Sequence, residues 1–177
     1  RALAAAGKGL GDVTGFIHGT TLATNALIER RGAVVATITT EGFRDILEIA
    51  YERRYAQYDI NLEKPDLLVP RTRAFTVPER MSVSGQVLIP LDESAMPGLL
   101  AELDESGAKA VAICLLHAYA NPAHERRLRD LIGAARPGLT VSLSSDVSPE
   151  AREFDRLSTT VANAYIQPMM AGYLAAF

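Results

Sequence analysis

Short apolar runs alternate with longer amphipathic stretches along this chain. Phe16 and Ile17 form a brief apolar segment, read as the end of a strand, that stops at His18-Gly19. A helical pattern follows, with Thr20 or Thr21 as its N-cap, because a hydroxyl there accepts from orphan backbone donors. Ala23, Ala26 and Leu27 form its apolar face, basic Arg30-Arg31 suit its C-terminus, and Gly32 ends it. Residues 33–39 (AVVATIT) are β-branched and apolar and predict a buried strand. Residues 42–51 then place Phe43, Ile46, Leu47 and Ala50 at helical spacing.

Between 52 and 90 the character changes. Pro65, Pro70, Pro78 and Pro90 exclude a long helix. Residues 73–79 and 81–89 read as extended segments with Ser84-Gly85 as a turn, which makes 52–90 a mainly β excursion from the core. Alternation then resumes. The pattern predicts a helix over 92–106, a strand over 108–116 and a helix opened by Asn121-Pro122 that ends near Pro137-Gly138. A strand over 139–143 follows, and Pro149 opens a long helix carrying Phe154, Leu157, Val161, Ala164 and Tyr165 inward. Pro168 is expected to kink or break that helix. Three strands, each followed by a helix, predict an α/β fold with a largely parallel sheet and flanking helices.

Composition narrows the function classes. The chain has 177 residues, 48% of them hydrophobic, and a formal net charge of −3. That balance leaves no electrostatic footprint for nucleic acid, and no apolar run approaches the ~20 residues of a membrane helix. The single cysteine, Cys114, excludes an intramolecular disulfide framework and fits a reducing, cytoplasmic compartment. It lies in an apolar strand and reads as packing rather than as a nucleophile. With three histidines (His18, His117, His124) and no cysteine near any of them, no metal site is expected. The chain opens on Arg1 and closes inside an apolar stretch, which suggests a piece of something longer.

Four polar clusters could carry chemistry. His18-Gly19-Thr20-Thr21 with Thr24 and Asn25 lies where a strand end is expected to meet a helix start. Ligands bind outside the carboxyl ends of strands in open α/β sheets, and a helix start favours anions. The same residues also suit plain helix capping. Thr39-Thr40-Glu41-Gly42 with Arg44 and Asp45 repeats this arrangement after the next strand, again with capping as the alternative. His117 closes the 108–116 strand, where an imidazole can act as an acid or base or simply bond a loop carbonyl. Arg152, Glu153, Asp155 and Arg156, followed by Thr159, Thr160 and Asn163, form a polar row that an ordinary solvated helix face would also show. Arg53-Arg54 beside Tyr51, Tyr55 and Tyr58 suits cation–π stacking within the protein. No Walker, G-x-S-x-G or H-E-x-x-H signature is present.

Taken in order, the blocks carry more. HGTTLATNAL at 18–27, TTEGFRD at 39–45, EKPDLLVPR at 63–71, CLLHAYANPAHERR at 114–127 and SPEAREFDRLSTTVANAY at 148–165 closely resemble the N-terminal region of the hydantoinase A / 5-oxoprolinase family. That family includes N-methylhydantoinases, 5-oxoprolinases and subunits of acetone and acetophenone carboxylases. The resemblance implies a ribonuclease-H-like lobe of an actin-like ATPase architecture, with Mg-ATP phosphorylating an amide or ketone oxygen. It implies catalytic roles for His18, Thr20 and Thr21. It implies a nucleotide or substrate cleft lined by Gly19, Thr24, Asn25, Thr39, Thr40, Glu41, Gly42, Arg44, His117, Arg152, Glu153 and Thr160. A cyclic amide as substrate and a hydantoinase B-type partner subunit or domain follow from the same resemblance, with a carboxylase subunit or a non-catalytic assembly module as alternatives.

The family's Asp-x-Gly-Gly-Thr phosphate hairpin has no counterpart in residues 1–15, and the second lobe that the resemblance implies is expected beyond Phe177. The expectation is therefore a truncated lobe over 1–167, a connection starting at 168–177, and no ATP turnover by these residues alone.

Overall fold

A computed structural model describes residues 5–7, 9–15, 17–51, 61 and 64–176. Four parallel strands make the main sheet: β1 (Val35–Thr40), β2 (Ala74–Val77), β5 (Ala110–Cys114) and β6 (Thr140–Leu143), in the order β2-β1-β5-β6. All six residues of β1 and all five of β5 are buried, as expected of central strands covered on both faces. The mixed α/β architecture with a mainly parallel sheet and flanking helices agrees with the expectation.

The period-two alternation of β1 and β5 divides the core. Ala36, Ile38, Val111 and Ile113 face one side, under helices α3 (Met96–Glu105) and α4 (Ala123–Ala135), which bring Leu99, Leu103, Leu128 and Ile132. Val35, Ala110, Ala112 and Cys114 face the other. There they meet Leu157, Val161, Ala164 and Tyr165 of the long helix α6 (Glu153–Ala176), joined by Leu27 of α1 (Leu22–Ile28) and Ile46 of α2 (Ile46–Ile49). The alanines of β5 let α6 lie close to the sheet. Cys114 packs in this layer, and burial pushes its thiol up to about 11.

Several expectations change. The extended segment at 73–79 contributes β2, which pairs parallel with β1 from Thr37↔Ala74 to Thr40↔Val77, so the excursion supplies an edge strand of the main sheet. What stands apart is the hairpin of β3 (Arg80–Met81) and β4 (Val87–Ile89). Its turn is at Ser84-Gly85, where Gly85 adopts φ 79° and donates to Ser82 O (3.0 Å). The 42–51 helix shrinks to Ile46–Ile49 because Ala50 leaves helical space at φ 50°.

Gly32 does not end α1. The chain turns at Arg30 (φ 56°), and Gly32 is required because any Cβ there would run into the Tyr165 ring. The long helix starts at Glu153, not at Pro149, because Arg152 at φ 80° lies outside helical space; the chain reaches it from a short helix, α5 (Ser144–Val147), through the turn at 148–152. Pro168 does not break that helix. Proline removes one backbone hydrogen bond, and Met169, Met170 and Ala171 are strong helix formers that carry the helix on. Among the described residues no helix is long and apolar enough to cross a membrane. Arg53, Arg54, Tyr55 and Tyr58 lie outside the described residues, as does Phe16.

Candidate functional site

The chain leaves β1 toward β2 on one side and passes from β5 to β6 on the other. The carboxyl ends of β1 and β5 therefore flank the switch point of the sheet, the place where open α/β folds bind ligands. Thr40, the last residue of β1, and the turn Leu115-Leu116-His117 after β5 meet there. Two buried polar networks converge on that turn.

In the first, Thr40 Oγ1 donates to Glu79 Oε1 and accepts from Leu116 N (2.9 Å). His124 donates from Nδ1 to Glu79 Oε2 (2.7 Å). Glu79 is buried at the end of the β2 strand, and His124 sits in the first turn of α4. Both oxygens of the acid are thus satisfied, as burial of a carboxylate demands.

The second network centres on Arg156, which has no exposed surface. Its Nη2 donates to Leu115 O (2.6 Å), its Nε to Ser144 Oγ (3.1 Å) and its Nη1 to Glu150 O (3.0 Å). Its guanidinium lies 5.4 Å from the centre of the Tyr119 ring, a cation–π distance. Glu125, equally buried, accepts from Leu115 N (2.9 Å) and Ser144 Oγ (2.6 Å) on one oxygen and from Ser145 N (2.9 Å) on the other. Burial pushes its carboxyl above the usual glutamate range, and these hydrogen bonds pull it partly back. Ser144 joins the two charges, since it donates to Glu125 and accepts from Arg156.

His117 follows the turn in a left-handed conformation (φ 55°), half-buried, with its Nδ1 3.3 Å from Tyr119 Oη. A non-glycine residue held at positive φ is uncommon, and such strain collects at functional sites.

The other residues proposed from the sequence distribute unevenly. Thr39 is buried and donates to Phe75 O (3.4 Å), so it serves the sheet. Glu41 and Gly42 are exposed just past Thr40, with Gly42 at φ 89° and open space around it. Arg44 reaches Arg71 O (3.3 Å). Arg152 is exposed and Glu153 half-buried at the start of α6, while Thr160 is buried and donates to Arg156 O (2.7 Å). Thr40, His117 and Arg156 are therefore brought to one edge of the sheet, while Thr160 is buried one turn further along α6. The row through Arg156 and Thr160 is interior, which corrects its reading as an ordinary solvated face.

The His18 block is not brought to that edge. His18, Gly19, Thr20, Thr21, Thr24 and Asn25 are all exposed, and residues 17–20 form no strand, so no strand end precedes α1 among the described residues. Ile17 is 99% exposed and has no ladder partner among the described residues. Thr21 occupies the N-cap position without a side-chain cap bond, whereas Thr20 Oγ1 accepts from Leu22 N (3.2 Å). Asn25 Nδ2 donates to Thr21 Oγ1 (3.4 Å). His18 stacks on Tyr173 of α6, with Nε2 and Oη 2.5 Å apart. Tyr173 lies two turns beyond Tyr165, whose carbonyl accepts from Ala33 N (2.9 Å) at the amino end of β1. At 1.5 Å per residue, Tyr173 stands roughly 25 Å along α6 from Arg156.

Sequence reasoning missed Glu79, His124, Glu125 and Ser144. Periodicity gave no signal for Arg156, which lies about 100° around the helix from Leu157 and outside the apolar stripe of α6 formed by Leu157, Val161 and Ala164.

Comparison with known proteins agrees with this architecture. The family described as the hydantoinase/oxoprolinase N-terminal region matches residues 1–135. The caprolactamase subunit alpha of Pseudomonas jessenii is 38% identical over 160 residues, covering 89% of this chain and 23% of that protein. 5-Oxoprolinase 1 of Arabidopsis thaliana is 34% identical over 179 residues, covering 90% and 14% respectively. The crystal structure of the ATP-dependent caprolactamase from Pseudomonas jessenii superposes with a TM-score of 0.85 at 35% identity, over 99% of this chain and 27% of the other. The chain thus spans about a quarter or less of the length of these relatives. It belongs to the hydantoinase/oxoprolinase family.

Proposed function

We propose that this chain is part of an ATP-dependent cyclic amidohydrolase that activates a lactam or imide by phosphorylating its carbonyl oxygen. The reaction balances as lactam, ATP and two waters giving the ring-opened amino acid, ADP and phosphate. The observation that carries this reading is the switch point between the carboxyl ends of β1 and β5, where sheets of this kind hold their ligand crevice, on a sheet shared with an ATP-dependent caprolactamase. Thr40 and His117 stand at that crevice, and exposed Glu41 and Gly42 continue from it toward solvent. Mg²⁺ would arrive with the nucleotide phosphates: among the described residues no group of three acidic, histidine or cysteine side chains gathers to hold a metal. A hydantoinase B-type partner is the expected companion, in keeping with a relative that is itself named a subunit. These 177 residues by themselves do not turn over ATP, because they contain no Asp-x-Gly-Gly-Thr phosphate hairpin.

The test is ADP release by the full-length protein, with Mg-ATP and caprolactam, 5-oxoproline, hydantoin, N-methylhydantoin, acetone or acetophenone. Release that depends on a cyclic amide, and falls about 100-fold in His117→Ala, supports the reading. Release driven only by a ketone with bicarbonate moves the assignment to a carboxylase. Release driven by no candidate defeats both.

A further inference from the structure

The turn after β5 receives more buried polar side chains than any ladder end requires. The ladders stop just before it, since β5 pairs with β1 as far as Cys114↔Thr39 and with β6 as far as Ile113↔Leu143. The next three backbone groups all meet side chains, Leu115 C=O in addition to accepting from Ala118 N (3.3 Å) within the turn. Leu115 N–H is taken by Glu125, Leu115 C=O by Arg156, and Leu116 N–H by Thr40. Those side chains arrive from three elements, α4, α6 and β1, and each is itself held by further partners. Capping three backbone groups does not need two buried charges. Water or a serine would serve, and apolar packing in place of buried charged side chains is often as stable or more so. What charged, multiply bonded groups add is a fixed geometry. The residue directly after these three is His117, in its left-handed conformation.

We propose that Arg156, Glu125 and Thr40 are positioning residues that lock the 115–117 turn and thereby aim His117 into the crevice between β1 and β5. They act through the turn and do not touch the reactants. The identity of the reaction served rests on the function proposed above, whereas the lock itself rests on geometry alone.

Two measurements on the full-length protein separate these layers. Hydrogen exchange at the Leu115, Leu116 and His117 amides reads the lock. Cyclic-amide-dependent ADP release reads its consequence. Thr40→Val removes the hydroxyl at nearly constant volume, Thr40→Ser restores it, and Arg156→Lys keeps the charge but loses the guanidinium fork. In Thr40→Val and Arg156→Lys, exchange at the three amides should rise about tenfold while β6 amides hold their rates. In the same variants kcat should fall about 10- to 100-fold with KM for ATP unchanged. Thr40→Ser should restore both readouts.

Unchanged exchange in both variants overturns the proposal, and so does raised exchange with kcat intact. Should Arg156→Lys fail to fold, the Thr40 pair decides. A wild-type protein that releases no ADP with any cyclic amide defeats the functional reading, and the exchange data then settle the lock by themselves.

Discussion

The two ends of the parallel sheet are built on opposite principles. At the carboxyl edge, Thr40, Glu79, Glu125 and Arg156 are buried, multiply hydrogen-bonded and drawn from positions far apart in sequence. At the amino edge, the His18–Asn25 block is exposed and held by short local bonds plus one contact to Tyr173. Both contain the hydroxyl and imidazole groups that make a sequence look catalytic. They differ in preorganisation. Groups whose geometry is fixed before a ligand arrives are the ones able to stabilise developing charge.

The largest expected effect breaks the carboxyl edge. Arg156→Ala removes a fully buried cation that bonds Leu115 O, Ser144 Oγ and Glu150 O and leaves the buried Glu125 network without its guanidinium, so it should lower stability by about 3–5 kcal/mol. Urea unfolding followed by circular dichroism measures this. A loss below about 1 kcal/mol would mean that water replaces the guanidinium without cost.

A smaller effect appears in pH dependence. Glu125 has its folded-state pKa raised, chiefly by burial, so the native state binds more protons than the unfolded state above the ordinary glutamate pKa. Its contribution therefore weakens stability as pH rises through that window, with a slope of at most about 1.4 kcal/mol per pH unit. Glu125→Gln should remove this component. Subtracting the stability–pH curves of wild type and variant isolates it, and a difference that grows with pH in the opposite sense contradicts the assignment.

The smallest effect belongs to the amino edge. His18→Ala should change stability by no more than about 0.5 kcal/mol, as is usual for an exposed side chain. If it nevertheless abolishes cyclic-amide-dependent ADP release, the His18 block returns to the reaction and the contrast between the edges disappears.

The sequence disclosed the edges to different depths, for physical reasons. Strands β1, β5 and β6 were legible because buried parallel strands are continuous apolar runs. β2 was legible as extended backbone but not as a neighbour of β1, since pairing is decided by contacts some 37 positions away, as between Thr37 and Ala74. The start of α6 was misplaced because Arg152 adopts a positive φ that no propensity of arginine announces. The strand end expected before the His18 block is not formed by residues 17–20, because strand formation depends on pairing partners that no local pattern reports. Glu125 and Arg156 were undervalued because their partners lie 10 to 41 residues distant. Ordered family blocks marked both regions without saying which of them is interior.

Cys114 gives the molecule a built-in clock. It is the one thiol in 177 residues, it lies in the central strand β5, and burial has raised its pKa to about 11. Both concealment and the scarcity of thiolate shut out alkylating reagents in the native state. The rate at which a maleimide or disulfide reagent labels the protein therefore reports how often the sheet opens at its middle. A labelling time course of the full-length protein, read at the peptide that contains Cys114 and taken with and without nucleotide or lactam, converts ligand binding into a change of opening frequency that needs no knowledge of the product formed.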